Sequence, residues 1–189
     1  MAEYSAPASV GARVAAARRA RGYRSTADLG AALEGTGITP AVLANIESGR
    51  KSDLDVSQVL NLAKILELPV SFLLAPLARP NDPVDLPNLI PELAAMTASE
   101  FDAWLCSIPN AEYTATKAHE RSDRAELQAL RELRVLEREL RRLKIVNDLE
   151  SSAGHHPVEL EEAMKRRVSA AESELEQLRN FLNSSGLEV

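Results

Sequence analysis

The stretch STADLGAALEGTGITPAVLANIESGR, residues 25–50, predicts two short helices joined by a tight turn. Its apolar residues recur at helical spacing and form two separate faces, Leu29, Ala32 and Leu33 before the turn and Leu43 and Ile46 after it. Between the two faces, the glycines of residues 35–37 can adopt the positive φ angles that a sharp reversal requires. The stretch therefore predicts a helix, a glycine turn and a second helix.

The second of these helices carries recognisable signals at both ends. Thr39 is a suitable N-cap, and Pro40 follows at the first helical position, where its missing N–H is tolerated. Gly49 closes the helix, and Arg50 and Lys51 come directly after it. Two helices around a glycine turn, the second ending beside two cations, are typical of a helix-turn-helix.

The following residues extend this pattern. The segment LANIESGRKSDLDVSQVLNLAKILELPVSFLL, residues 43–74, resembles the second half of the lambda-repressor-like DNA-binding domains of the XRE (xenobiotic response element) family of transcriptional regulators. That family shows I-S-x-I-E-x-G, a loop, and then L-x-x-I-A-x-x-L-x-V-x-x-x-x-L-L. The matching residues here are Leu43, Ile46, Glu47, Gly49, Leu60, Ala63, Leu66, Leu68, Leu73 and Leu74.

The resemblance implies a five-helix DNA-binding domain over residues 9–77, of the kind found in phage immunity repressors and actinobacterial XRE regulators. It also implies that Glu47 ties the end of the recognition helix to another part of the domain, and that Gly30 lets two helices cross closely. Two features depart from the family. Thr26 stands where the family has a glutamine that braces the recognition helix, and the turn carries extra residues at 34–36.

The predicted recognition helix, residues 40–48, turns small and polar side chains outward. Methyl groups of alanine and valine can contact thymine methyls, and Asn45 can pair with adenine through two hydrogen bonds. Val42 could instead pack on a neighbouring helix, and the sequence leaves that alternative open. The predicted base-contacting residues are Thr39, Ala41, Val42, Ala44 and Asn45.

Ser9 can cap a predicted first helix at residues 10–21. Five arginines and no acid lie between Val10 and Arg24, in this helix and just after it. Such a run is often a solvated helix face, but beside a helix-turn-helix its cations are placed to contact the DNA backbone. Arg24, next to the predicted cap Ser25, is the best phosphate candidate. The predicted phosphate-contacting residues are Arg18, Arg19, Arg24, Ser25, Thr26, Ser48, Arg50 and Lys51.

The distribution of charge bears on the same question. The chain has 189 residues and a net charge of −6, which taken alone argues against nucleic-acid binding. Residues 1–75 nevertheless hold eight Lys and Arg against seven Asp and Glu, whereas residues 76–110 hold one against five. Because local charge decides where phosphate can lie, the first part of the chain stays compatible with DNA.

Composition narrows the protein class. Aromatic residues make up only 4% of the chain, which favours an all-α protein, and the single Cys106 cannot form an internal disulfide. Residues 1–8 lack the pattern of a signal peptide and the apolar run at 56–77 is interrupted, so we expect no membrane span and a place in the bacterial cytoplasm or nucleoid, with a phage origin also compatible. No phosphate loop or nucleophile–base pair indicates an enzyme, and we expect no catalytic residue, metal or cofactor.

Residues 78–110 are predicted to be a linker, because four prolines between residues 80 and 91 exclude a regular helix. Its leucines and Ile90 indicate that it lies against a domain. Thr97 and Glu100 form a capping-box pair ahead of a short amphipathic helix that contains Trp104. We interpret this helix as a packing element and not as a ligand site.

Residues 111–149 contain neither glycine nor proline and predict one long helix, after which Pro157 begins another. Leucines at three- and four-residue spacing on both helices predict an antiparallel coiled-coil hairpin. The seam leaves more apolar surface than one hairpin hides, so we expect a homodimer through residues 111–184. The predicted dimerisation residues are Leu133, Leu136, Leu140, Leu143, Val168, Leu175, Leu178 and Leu182.

Polar residues of this tail have more than one interpretation. Asn147 lies at a core position and could set the register, or lie in solvent near the helix end. His155 and His156 are adjacent and lack a cysteine or a second histidine pair, so we assign them to a capping loop and not to a metal site.

The sequence thus predicts an all-α chain in which a five-helix lambda-repressor-like DNA-binding domain precedes a long-helix antiparallel coiled-coil hairpin. Such a chain would be a dimeric, sequence-specific transcriptional repressor that reads palindromic double-stranded DNA through the major groove. The alternative is an antitoxin-like or adaptor protein, whose coiled coil holds a protein partner while DNA binding serves autoregulation. The acidic second half of the chain is compatible with a basic partner of that kind.

Overall fold

The computed structural model describes residues 9–153 and 158–189, and the side chains outside residues 150–161. These residues form helices and no strand, apart from an isolated antiparallel bridge between Pro83 and Thr97. The all-α prediction is confirmed. The helices are α1 Val10–Ala20, α2 Thr26–Ala32, α3 Pro40–Glu47, α4 Val56–Ile65, α5 Val70–Leu74, α6 Pro91–Ala94, α7 Ala98–Cys106, α8 Ala118–Ala153 and α9 Val158–Ser184.

The chain divides into two compact units, Met1–Thr114 and Ala115–Val189. This boundary lies close to residue 111, where the helical tail was predicted to begin. The predicted division between a domain at 9–77 and a linker at 78–110 does not separate two units, because the proline-rich segment packs on the first helices.

One apolar core holds the first five helices together. It draws residues from every one of them, and the glycine turn contributes Ile38. Leu33, Leu43, Ile46 and Leu66 are among its fully buried members. Of the two apolar faces predicted in residues 25–50, Leu29, Leu33, Leu43 and Ile46 share this core, whereas Ala32 is exposed and lies outside it.

Local capping signals fix where these helices begin. The Ser9 hydroxyl accepts from the Ala12 N–H at 3.2 Å, and the Thr39 hydroxyl accepts from the Val42 N–H at 3.3 Å. Pro40 occupies the first position of α3, as predicted. Because a cap depends only on residues within one turn, these predictions needed no tertiary information.

The proline-rich segment is anchored by a second, smaller core of Ala75, Val84, Ala98 and Phe101. Its backbone is also tied to the start of α7, since the Ala98 N–H donates to the Asp82 carbonyl at 2.8 Å. Trp104 packs beside Phe101 with 5.8 Å between ring centroids. The prediction that α7 is a packing element is confirmed.

In the second unit, α8 and α9 run antiparallel. Lys144 of α8 pairs with Glu172 of α9 at 2.7 Å, and Glu137 pairs with Arg179 at 3.0 Å. The residue that comes earlier in α8 thus pairs with the one that comes later in α9. The predicted helix from residue 111 begins only at Ala118, after a non-helical stretch in which Ala115 is buried.

The apolar seam of this pair uses six of the predicted dimerisation residues within one chain. Leu133, Leu175 and Leu182 are buried between α8 and α9 of one chain, and Leu136, Leu140 and Leu178 pack against them. Leu143 and Val168 are half-buried. The buried leucines Leu133, Leu175 and Leu182 are therefore not available to a second copy while α8 and α9 stay paired.

Candidate nucleic-acid interface

The position of α3 is fixed by close backbone approaches on two sides. A β-carbon added to Gly11 of α1 would overlap the Ile46 carbonyl oxygen and lie 2.9 Å from the Ile46 carbonyl carbon. One added to Gly30 of α2 would lie 2.9 Å from Cγ of Pro40. The expected role of Gly30 is confirmed, whereas Gly11 was not foreseen, since nothing in its own neighbourhood marks the contact.

A buried ion pair fixes the end of α3. The Arg18 guanidinium donates to both carboxylate oxygens of Glu47, at 2.6 and 3.0 Å, and also to the Tyr23 carbonyl at 2.8 Å. The hydrogen bond to Glu47, aided by its charge, raises the pKa of Arg18. Glu47 thus ties the end of α3 to another helix, as predicted.

Arg18 is consequently removed from the predicted phosphate contacts. Its side chain is largely buried, and its guanidinium donates its hydrogen bonds to Glu47 and Tyr23 of the same unit. Arg13 is internal too, because its guanidinium makes two 2.7 Å bonds to Asp85 and its Nε donates to the Leu73 carbonyl at 2.8 Å. Neither of the two interpretations of the α1 arginines, a solvated helix face or contacts with the DNA backbone, holds for these two residues.

The remaining cations near α1 are nearer the surface. Arg21 donates to the Leu66 carbonyl at 2.7 Å, so its side chain also has a structural role. Arg19 and Arg24 are exposed. Of the three arginines predicted to contact phosphate in this region, Arg19 and Arg24 stay accessible.

The outer side of α3 carries four of the five predicted base-contacting residues in accessible positions. Thr39 and Ala41 are exposed, and Ala44 and Asn45 are half-buried. Val42 instead packs partly against the core of the domain. The packing alternative left open for Val42 is therefore the one observed.

An unforeseen contact links Asn45 to the loop that follows α3. Arg50 donates through Nε to Oδ1 of Asn45 at 3.0 Å. The loop is also fastened to the end of the helix, because the Lys51 N–H donates to the Asn45 carbonyl at 2.9 Å and the Ser48 hydroxyl donates to the same carbonyl at 3.2 Å. Gly49 makes this tight return with φ near 75°. The arrangement places a guanidinium beside the amide predicted to read bases.

The start of α2 is less suited to phosphate than predicted. Ser25 and Asp28 form a capping box, in which the Ser25 N–H donates to Oδ2 of Asp28 at 2.9 Å and the Ser25 hydroxyl accepts from the Asp28 N–H at 3.2 Å. Hydrogen bonds from the backbone and hydroxyl of Ser25 lower the pKa of Asp28. A carboxylate therefore already satisfies Ser25, and only the adjacent Thr26 and Arg24 keep the predicted role.

Other kinds of site find no support in the part of the chain that the structure describes. Its residues contain no group of three His, Cys, Asp or Glu side chains able to hold a metal ion. None of its helices is long and apolar enough to cross a membrane. His155 and His156 lie outside the described residues.

Comparison with known proteins adds no constraint. The chain matches no protein-family model, and searches of curated proteins and of solved structures gave no match.

Proposed function

We propose that this chain is a sequence-specific DNA-binding regulator of the lambda-repressor-like helix-turn-helix type, acting as a dimeric repressor. In this proposal α2 and α3 are the helix-turn-helix and α3 enters the major groove of double-stranded DNA. The α8–α9 pair would form a coiled-coil hairpin that supports dimerisation. The contacts within the first unit supply the reasons.

One observation carries the proposal. Between Thr39 and Lys51 the only acid is Glu47, and it is turned inward to Arg18. The outward side of α3 and its loop is therefore left with small and polar groups and with the exposed Arg50. A helix fixed by its neighbours, with its acid neutralised internally and a cation at its end, is suited to a polyanion with readable base edges.

The revised contact set follows from accessibility. We assign base contacts to Thr39, Ala41, Ala44 and Asn45, with Asn45 and Arg50 acting as a hydrogen-bonded pair. We assign phosphate contacts to Arg19, Arg24, Thr26, Arg50 and Lys51. Ser48 is left out because its hydroxyl already donates its one hydrogen to the Asn45 carbonyl. A carbonyl oxygen has two lone pairs, so Asn45 can keep its bond from Arg50 and still accept one from adenine.

Dimerisation would give the affinity that one domain lacks. If one unit binds a half-site at about 10⁻⁶ M and tethering supplies an effective concentration of about 10⁻³ M, two linked units reach about 10⁻⁹ M. The affinity of a single DNA-binding unit would be too low to select its site among competing sequences.

The test uses the full chain and a mixed-sequence duplex of about three helical turns, with affinity measured by fluorescence anisotropy between about 50 and about 200 mM salt. Arg24→Ala and Arg50→Ala should each weaken binding and lower the slope of log affinity against log salt by about one. Arg134→Ala, an exposed arginine of α8, is the matched control and should leave the slope unchanged. Equal losses for all three variants, or no binding at the lowest salt, would refute the proposal.

A further inference from the structure

The two edges of the α8–α9 pair are unlike. One edge is closed by ion pairs between the helices, Lys144 with Glu172 and Arg179 with Glu137. The other edge contains a concavity of about 530 Å³ between α8 and α9, whose lining includes Arg138, Glu139, Arg142, Val146, Met164 and Arg167. Within the described residues of α8 and α9, no ion pair closes this edge of mixed apolar and charged residues, so it is a candidate surface for a partner.

A second stripe of α8 runs along this open edge. Val135, Glu139, Arg142 and Val146 follow one another at spacings of four, three and four residues, the spacing of a helix-pairing seam. At 3.6 residues per turn this stripe lies about 110° around the helix from the leucines that face α9. Val135 is 53% exposed and Val146 is half-buried. The stripe is therefore separate from the seam that closes the hairpin.

The charged residues of the stripe have no side-chain partner in the part of the chain that the structure describes. Glu139 and Arg142 lie one helical turn apart, close enough to pair with each other. Among the described residues, neither makes an ion pair or hydrogen bond through its side chain. Both charges thus stay available to a group outside the chain.

The order Val, Glu, Arg, Val is self-complementary. If a second copy of α8 lies antiparallel, with the two-fold axis between Leu140 and Arg141, each residue opposes the one at the mirrored position. Val135 then faces Val146 of the second copy, and Glu139 faces Arg142 of the second copy. Each contact occurs twice, as a two-fold interface requires.

From this pattern we propose that the open edge of α8 is the self-association surface of the protein and that its occupant is the same edge of a second copy. The inference rests on the dimeric character proposed above and names its surface. A dimer through the buried leucines Leu133, Leu175 and Leu182 would need the hairpin to open, whereas this edge lies outside that core.

Charge reversal tests the pairing directly. Glu139→Arg sets a cation opposite Arg142 of the second copy, and Arg142→Glu sets two acids opposite each other. Each should raise the dimer dissociation constant of the full chain roughly tenfold or more in sedimentation equilibrium. The double variant Glu139→Arg with Arg142→Glu restores opposite charges and should return the constant to within about threefold of wild type. Lys144→Glu, on the closed edge, is the matched control and should leave it unchanged.

Cross-linking tests the register. In a Cys106→Ser background, a mixture of Val135→Cys and Val146→Cys chains should form a disulfide-linked heterodimer. Neither variant alone should do so, because two copies of one position then lie eleven residues apart, about 16 Å along the helix and beyond disulfide reach. The same separation excludes a bridge within one chain.

The outcomes separate this inference from the proposed function. A monomeric wild-type chain, or a dimer that resists both reversals and forms no mixed disulfide, would overturn the surface. If the Glu139→Arg variant is monomeric and binds DNA more tightly than wild type, the proposed surface is wrong and the edge is instead a nucleic-acid contact. None of these results depends on sequence-specific DNA binding by α3. That proposal is tested separately, by the salt dependence of DNA binding and by the selection of half-sites.

Discussion

The arginines of α1 and those of α8 look alike in sequence and have opposite roles in the structure. In α1, Arg13 and Arg18 are buried and pair with carboxylates 72 and 29 residues away in the chain. In α8, Arg124 and Arg134 pair with acids only one turn away on the same helix. The α1 pairs join distant parts of the chain, whereas these α8 pairs only link neighbouring turns on the surface of one helix.

The difference follows from solvent access. Removing one partner of a buried ion pair leaves an uncompensated charge in a poorly solvated place, at a cost of about 3–5 kcal/mol. Surface pairs are screened by water and contribute about 0–1 kcal/mol. An arginine run therefore reveals its role only when its partners are known.

Of the substitutions that test this difference, Arg13→Met should cause the largest loss in the free energy of unfolding. The variant keeps most of the apolar stem but leaves Asp85 and the Leu73 carbonyl without their donor, so we expect a loss of about 3 kcal/mol in the free energy of unfolding. Arg134→Met is the matched control in α8, where the side chain is 67% exposed, and should lose less than about 0.5 kcal/mol. Urea denaturation of both variants measures the difference, and similar losses would contradict the contrast.

Gly11→Ala should give the next largest effect, again confined to the first unit. Alanine at an open helix position would stabilise by about 1 kcal/mol over glycine. Here the new methyl group meets the backbone of α3, so we expect a net destabilisation of about 2 kcal/mol and weaker DNA binding.

Gly30→Ala provides the graded comparison, because the three atoms nearest to its methyl group would all belong to the ring of Pro40. It should destabilise less than Gly11→Ala in the same denaturation experiment. A stabilised Gly11→Ala variant would show that α1 and α3 are not in close contact.

The smallest effect should come from the capping box of α2. Because the pKa of Asp28 is lowered in the folded state, its contribution to stability is present above the pKa of the unfolded chain and is lost as pH falls through the folded value. The Tm advantage of wild type over Asp28→Asn should therefore be larger near pH 6 than near pH 3, within the range where carboxylates titrate. An advantage that is equal at both pH values would contradict this assignment.

Sequence reasoning succeeded where one turn of chain contains the cause. The caps at Ser9, Thr39 and Thr97 and the glycines of the α2–α3 turn were all predicted from neighbouring residues, and the structure confirms them. The inward faces of α2 and α3 were also predicted, since helical spacing alone defines them.

It failed where the cause lies far along the chain. The burial of Arg13 depends on Asp85, in a segment predicted to be a linker, and the closeness of Gly11 to Ile46 depends on how two separate helices cross. The leucines of α8 and α9 predicted that these two helices pair within one chain, and the core between them agrees with that. Their spacing could not tell whether a second copy covers the partly exposed leucines, because the same spacing serves contacts within and between chains. The bond between Arg50 and Asn45 needed the geometry of the turn at Gly49.

The central claim is that α3 reads DNA sequence, and selection of bound duplexes from a random pool by the full chain tests it most directly. We expect the enriched sequences to share a palindrome whose half-sites lie about 34 Å apart, or a multiple of that distance. Asn45→Ala should relax the preference at one position of each half-site and keep the rest. A pool that stays random after selection at low salt would contradict the account.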